Sequence, residues 1–190
     1  MQKIVLDIET KNTFQDVQSA NPVNLDLSLL VVYDYTADQY TSFMEHDLPK
    51  LWPVLEQADI LIGYNLDYFD IPILDKYYQG SLSKKKTIDL LGEIKKSSGR
   101  RVSLNKVTAG TLGAEKSGNG LDAVIWWQRG EIEKIKKYCQ DDVRITKELY
   151  DFAFQNGYVV FEQRGQLQKI KLDTSKWEVL PPGSNNQTLF

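Results

Sequence analysis

The stretch "KIVLDIET" at residues 3–10 constrains this chain more than any other. Ile4, Val5, Leu6 and Ile8 make it a strand bound for the interior, yet it carries Asp7 and Glu9. Side chains on a strand alternate faces, so residues two apart point the same way, roughly 7 Å from one another. Two carboxylates on one face of such a strand repel each other and lose hydration. A fold built on this strand has to supply compensation for them.

A third acid lies on the longest helical pattern, "GEIEKIKKYCQDDVRITKELYDFAFQNG". Ile135, Cys139, Thr146 and Leu149 recur at three- and four-residue spacing and mark one apolar face. Asp142 falls on that stripe, with Tyr138 one turn before it. A carboxylate there is costly unless it is paired, hydrogen-bonded or bound to a cation. Asp141 points elsewhere and reads as solvated. A fourth acid, Asp70, follows the apolar strand "DILIGYN", where open α/β sheets commonly carry their sites. At the start of the next helix Asp70 equally suits the helix dipole, and Asn65 equally suits a strand-ending Asx turn.

Together Asp7, Glu9, Asp70 and Asp142 form an oxygen-only set, which suits Mg²⁺ or Mn²⁺. Two such ions about 4 Å apart activate water and stabilise a leaving oxygen in phosphodiester cleavage. With one histidine, His46, and one cysteine, Cys139, an internal disulfide is excluded, and the sequence argues against a His-rich site and structural zinc. The lone cysteine fits a reducing, cytoplasmic compartment. No apolar run approaches the roughly 20 residues needed to cross a bilayer, and the N-terminus enters a strand without a signal-peptide pattern.

Charge is segregated. Residues 1–75 hold 3 Lys/Arg and 13 Asp/Glu, whereas residues 76–116 hold 10 and 3. Acids gathered at the chemistry and bases on a neighbouring surface suit work on a polyanion; solvated loops and helix faces produce the same bias. Lys84, Lys85, Lys86, Arg100 and Arg101 are the bases in question.

The element pattern is α/β. "LSLLVVYDY", "QYTSFM", "DILIGYN" and "TIDLL" read as strands after the first. Helices are predicted over "DLPKLWPVLEQA" with Asp47 as N-cap, "YFDIPILDKYYQ" with Pro72 in its first turn, "SLNKVTAGTLG" between Ser103 and Gly113, and "GLDAVIWWQRG". Of Trp126 and Trp127, one is expected buried and one partly exposed. "YVVFEQRGQLQKIKL" reads as a hairpin turning at Arg164-Gly165. Strands first and helices interleaved later imply a mixed sheet with helices on its faces.

These motifs, in this order, resemble the DEDD 3′–5′ exonucleases of the ribonuclease H-like superfamily. "LDIET" resembles the first motif, Asp-x-Glu. "YNLDYFD" resembles the second, in the form typical of the proofreading domains of family B DNA polymerases and of YprB-like proteins. "YCQDD" resembles the third, Tyr-x₃-Asp, of the tyrosine subgroup; the histidine subgroup has His where this chain has Lys137. "SLNKVTAGTLGAEKSG", with Gly113 and Lys116, resembles the segment between the second and third motifs.

The resemblance covers roughly residues 1–155 and implies a ribonuclease H-like nuclease domain there; the residues beyond it read as a hairpin extension over 156–176 and a flexible tail over 177–190. It implies two divalent ions, Mg²⁺ or Mn²⁺. Asp7, Glu9 and Asp142 would hold the first, and Asp7 would bridge to the second with support from Asp70. Tyr138 would orient the attacking water. Asn65, Phe69 and Thr10 would contact the terminal nucleotides; for Phe69, core packing is an equal reading. The implied substrate is the 3′ end of single-stranded DNA, favoured over RNA. A catalytically silent binding module and a structure-specific endonuclease are the alternatives. Gln187-Thr188-Leu189-Phe190 weakly resembles peptides that dock on sliding clamps; packing on the domain and disorder are the competing readings of that tail.

Overall fold

Strand β1 (Lys3–Thr10) runs through the centre of a mixed five-stranded sheet in the computed structural model, which describes residues 1–114 and 120–180. Its partners are β2 (Leu27–Asp34), β3 (Gln39–Met44), β4 (Ile60–Gly63) and β5 (Lys86–Asp89), in the order β3-β2-β1-β4-β5. β1 is antiparallel to β2 and parallel to β4; β3 extends the antiparallel side and β5 the parallel side. Among the described residues six α-helices accompany the sheet: α1 (Leu48–Gln57), α2 (Asp70–Asp75), α3 (Leu90–Ser98), α4 (Leu104–Leu112), α5 (Gly120–Gln128) and α6 (Ile132–Asn156). The C-terminal hairpin, β6 (Tyr158–Gln163) and β7 (Gln166–Lys171), is a separate two-stranded sheet, as the sequence predicts.

The alternation of β1 divides the core into two layers. Ile4, Leu6 and Ile8 pack with Leu51 and Leu55 of α1 and with Ile71 and Leu74 of α2. Val5 faces the other way, towards Ile135, Cys139 and Val143 of α6 and Val107 of α4. Asp7 and Glu9 share the Val5 face. Parallel pairing of β1 with β4 covers only Lys3 to Val5, after which the two strands part. Gly63 closes β4, where an added Cβ would sit 2.9 Å from Leu66 Cβ and 3.2 Å from the Leu6 carbonyl oxygen.

The hairpin is seated on α4. A Cβ at Gly110 would lie 2.7 Å from both Phe161 Cα and the Val160 carbonyl oxygen, so only glycine permits this approach. Beside it, the Thr111 hydroxyl donates to the Val160 carbonyl and accepts from the Val160 amide, each at 2.8 Å. Arg164 (φ +53°) and Gly165 (φ +75°) form the hairpin's two-residue turn.

Three local expectations are corrected. Helix α3 was not anticipated: "TIDLL" stops being a strand at Asp89, whose carboxylate caps the helix through the amides of Leu91 (3.0 Å) and Gly92 (3.2 Å). Asp47 does not cap α1 through its side chain, because a 3₁₀ turn, Glu45–Asp47, leads into that helix. Ser103 likewise makes no side-chain cap bond to α4, whereas Gly113 ends it in the left-handed region (φ +67°).

Trp177, Glu178 and the Val179 carbonyl, in the stretch expected to be a flexible tail, are anchored to the domain, although the Val179 side chain is exposed. The Trp177 ring stacks on Tyr150 (5.6 Å) and Phe154 (6.5 Å) of α6. Lys86 Nζ donates to the carbonyls of Lys176 (2.8 Å) and Val179 (2.6 Å). Glu178 accepts from Lys3 Nζ (2.6 Å) and the Tyr150 hydroxyl (2.7 Å). Residues 181–190, including Gln187–Phe190, lie outside the described residues, as does Lys116.

Burial alone would raise the Glu178 carboxyl, but its bonds from Lys3 and Tyr150 outweigh burial and hold its pKa below the ordinary 4.5. A depressed carboxyl contributes stability above its unfolded pKa and loses it as pH falls through the folded one. Glu178→Gln is therefore expected to lower the urea midpoint at pH 7 and to narrow the gap from wild type below about pH 4. A gap that stays constant from pH 7 to pH 3 would refute the linkage.

Candidate active site

Asp7, Glu9, Asp70, Tyr138 and Asp142 line one cleft of about 420 Å³, with Thr10 and Phe69 on its walls. The carboxylates reach it from three segments. Asp7 and Glu9 project from β1 towards α6. Asp142 and Tyr138 come from α6, one turn apart, and are 2% and 3% exposed. Asp70 opens α2, from the opposite core layer, and is 2% exposed. Its Oδ1 accepts the Ile8 amide at 3.1 Å, in the part of β1 that β4 no longer pairs. That bond, rather than the helix dipole alone, fixes Asp70 in the cleft wall.

The electrostatics follow from crowding. Burial, then the Asp7 charge, push the Asp70 carboxyl well above the usual carboxylate range. Burial pushes the Tyr138 hydroxyl up as well, with Asp142, Glu9 and Asp7 adding to the effect, so it keeps its proton at neutral pH. The ring of Trp126 meets Tyr138 edge-on at 5.8 Å and 72° and holds its orientation. Trp126 and Trp127 are both half-buried, which corrects the expected split; Trp127 lies under Lys11 Nζ at 5.3 Å.

Cys139 lies beneath Asp7. Its thiol donates to the Asp7 carbonyl oxygen at 3.2 Å and stands 3.8 Å from Asp7 Oδ2. Ligand atoms of Asp7, Glu9 and Cys139 all fall within 4.8 Å of one another. Burial, then Asp7, Glu9 and Asp142, push the thiol pKa up, which keeps it protonated and makes it a donor to β1 rather than a thiolate ligand. The sequence marked Cys139 only as part of an apolar stripe.

The loop after β4, Tyr64 to Phe69, is held from behind by Asp89. Besides capping α3, Asp89 accepts the amides of Asn65 (2.8 Å) and Asp67 (3.2 Å). Asn65 takes the left-handed conformation (φ +70°), and its Oδ1 accepts from Arg101 Nη2 at 2.7 Å. It sits beside the cleft, not on its lining. Phe69 is on the lining, half-buried, with Phe14 edge-on to it at 6.2 Å. The Thr10 hydroxyl donates to the Asn12 carbonyl at 2.8 Å. Asp89 carried a legible signal, an Asp just before the helical spacing Leu90, Leu91, Ile94; Phe14 and Trp126 carried none.

Two of the bases that read either as a substrate-guiding surface or as solvated charge do neither. Lys85 Nζ caps the carbonyls of Glu56 and Ala58, and Lys86 Nζ clamps the C-terminal segment. Among the described residues no helix is long and apolar enough to cross a membrane.

Among solved structures, the fold is similar to that of the family B DNA polymerase from the hyperthermophilic archaeon Pyrobaculum calidifontis, with a TM-score of 0.63 and 17% identity. The likeness covers 80% of this chain and 24% of the polymerase, so the chain spans about a quarter of that protein's length. No curated protein matches. Residues 4–154, from β1 almost to the end of α6, match the family RNase_H_2. With that match spanning the whole sheet and every cleft carboxylate, the chain belongs to the RNase H superfamily.

Proposed function

We propose that the protein is a divalent-metal-dependent 3′–5′ exonuclease acting on single-stranded nucleic acid, with DNA favoured over RNA. The observation that carries this reading is the convergence of four carboxylates, drawn from both core layers, around Tyr138 in one cleft. The donor set fits hard cations: every carboxylate offers oxygen, and the adjacent thiol stays protonated. Asp70 is buried and faces the Asp7 charge, and a cation would relieve both penalties on its ionised form.

Asp7, Glu9 and Asp142 would hold one ion, and Asp7 with Asp70 a second. When bound, such a pair activates water and neutralises charge on the leaving 3′ oxygen. The protein's own groups do the positioning. Tyr138, braced by Trp126, donates a hydrogen bond that orients the attacking water. Phe69, backed by Phe14, offers a stacking face to the terminal base. Thr10 borders the sugar of that nucleotide.

The test is a 5′-labelled single strand, as DNA and as RNA, with a free or a blocked 3′ end, in Mg²⁺ and in Mn²⁺. A ladder shortening from the free 3′ end is expected, and Mn²⁺ alone should raise the melting temperature. Binding at 100 times its Kd adds about 2.7 kcal/mol. Cleavage of a closed circle would point to an endonuclease. No cleavage in either metal would leave a binding module.

A further inference from the structure

A second groove, of about 700 Å³, runs between α4 and the hairpin, away from the acidic cleft. Arg100, Arg101, Lys106 and Arg164 line it, against one acid, Glu162. Several bases elsewhere are neutralised by carboxylates, as in Lys3 with Glu178, Lys76 with Asp26 and Lys147 with Asp151. Among the described residues, none of the four groove cations forms an ion pair. Arg100 donates to the neutral amide of Gln163 (2.7 Å) and Arg101 to that of Asn65 (2.7 Å), which positions both guanidinium groups without cancelling their charge. In a chain of net charge −3, this concentration is local.

The groove is also built rigidly. The Gly110 contact and the paired Thr111–Val160 bonds fix one wall against the other. Arg164 occupies the tight hairpin turn. The hairpin lies beyond residue 154, where the family match ends, so one wall of this groove, Phe161 to Arg164, comes from a segment outside that match. It connects to the cleft through one side chain. Arg101 lines the groove, bonds Asn65 and lies 5.9 Å from the Tyr68 ring. Asn65 and Tyr68 belong to the same loop as Tyr64 and Phe69, which line the cleft.

We propose that this groove holds the phosphodiester backbone of the single strand several nucleotides upstream of the 3′ end seated in the cleft. The proposal rests on the exonuclease reading for its direction. Unpaired guanidinium and ammonium groups on a rigid wall recognise phosphate without reading bases, so the site is sequence-tolerant and salt-sensitive. Its contribution appears only with strands long enough to reach it.

The test uses the full chain carrying Arg100→Gln, Lys106→Gln and Arg164→Gln together, none of which lines the acidic cleft. Binding of labelled 3-mers and 15-mers, as DNA and as RNA, is followed by fluorescence anisotropy in EDTA from 25 to 200 mM KCl. Three lost contacts should lower the slope of log K against log[salt] by about 2 and weaken 15-mer binding tenfold or more at low salt. Affinity for the 3-mer and the Mn²⁺-induced rise in melting temperature should not change. Loss with either sugar supports the groove, and the sugar that loses more identifies the strand it serves. Equal slopes for variant and wild type on both sugars, or an equal loss on the 3-mer, would overturn it. If the triple variant melts early, Lys106→Glu alone replaces it, with the same criteria. Absence of cleavage in Mn²⁺ would sink the exonuclease reading and leave this binding comparison standing.

Discussion

Replacing Asp7 with alanine is expected to cut phosphodiester hydrolysis by roughly 10³- to 10⁵-fold and, in EDTA, to raise the melting temperature. The first effect would follow from loss of the carboxylate that, on the exonuclease reading, would serve both cations; several kcal/mol of transition-state stabilisation at about 1.36 kcal/mol per tenfold gives that range. The second follows from repulsion. Asp7 raises the pKa of the Asp70 carboxyl, so its charge opposes ionisation of that acid in the metal-free protein. Asp70→Asn is a sharper companion, because an amide oxygen can still accept the Ile8 amide while the charge disappears. Steady-state kinetics in Mn²⁺ and thermal melts in EDTA read the two effects. A rate loss below tenfold, or a melting temperature that falls in both variants, would contradict this account of the cleft.

Trp177→Ala should cost about 3–5 kcal/mol of folding stability, the range for emptying a buried tryptophan site. The ring is 5% exposed and lies in a stack with Tyr150 and Phe154, so its removal strips one face of α6. It also loosens the segment that brings Glu178 to Lys3 on β1. Urea denaturation at pH 7 measures the loss; a cost under 1 kcal/mol would mean the C-terminal segment is an ornament. Because the ring does not line the cleft, kcat at a temperature where the variant is folded should stay within a few-fold of wild type.

How legible each part was depended on the range of the interaction that fixes it. The Asp7 and Glu9 side chains could be placed on one face because a strand alternates with period two, and Tyr138 with Asp142 because a helix repeats near 3.6 residues. Asp70 was ambiguous for a physical reason: a first-turn Asp is favourable in any helix, and its particular anchor, the Ile8 amide, exists only because β1 and β4 diverge after Val5. The lysine run was misleading in the same way. Ammonium groups satisfy carbonyls as readily as phosphates, and nothing in "KKK" says that Lys85 and Lys86 cap backbone. Trp177 looked like the start of a loose polar end because its partners, Tyr150 and Phe154, lie more than twenty residues away. Helix α3 was missed at a boundary, where one Asp ends a strand and caps a helix at once.

The split origin of the cleft has a consequence for inactivation on warming. Asp70 is carried by a short helix on one side of the sheet, Asp142 by a long helix on the other. Proteins open in patches, at free energies below that of global unfolding. Fraying of α2, only six residues long, would withdraw one acid from the set while the long helix and the sheet stay intact. Such a molecule would look native by circular dichroism and be silent, so on the exonuclease reading activity would have a ceiling temperature set by the weakest patch rather than by the melt.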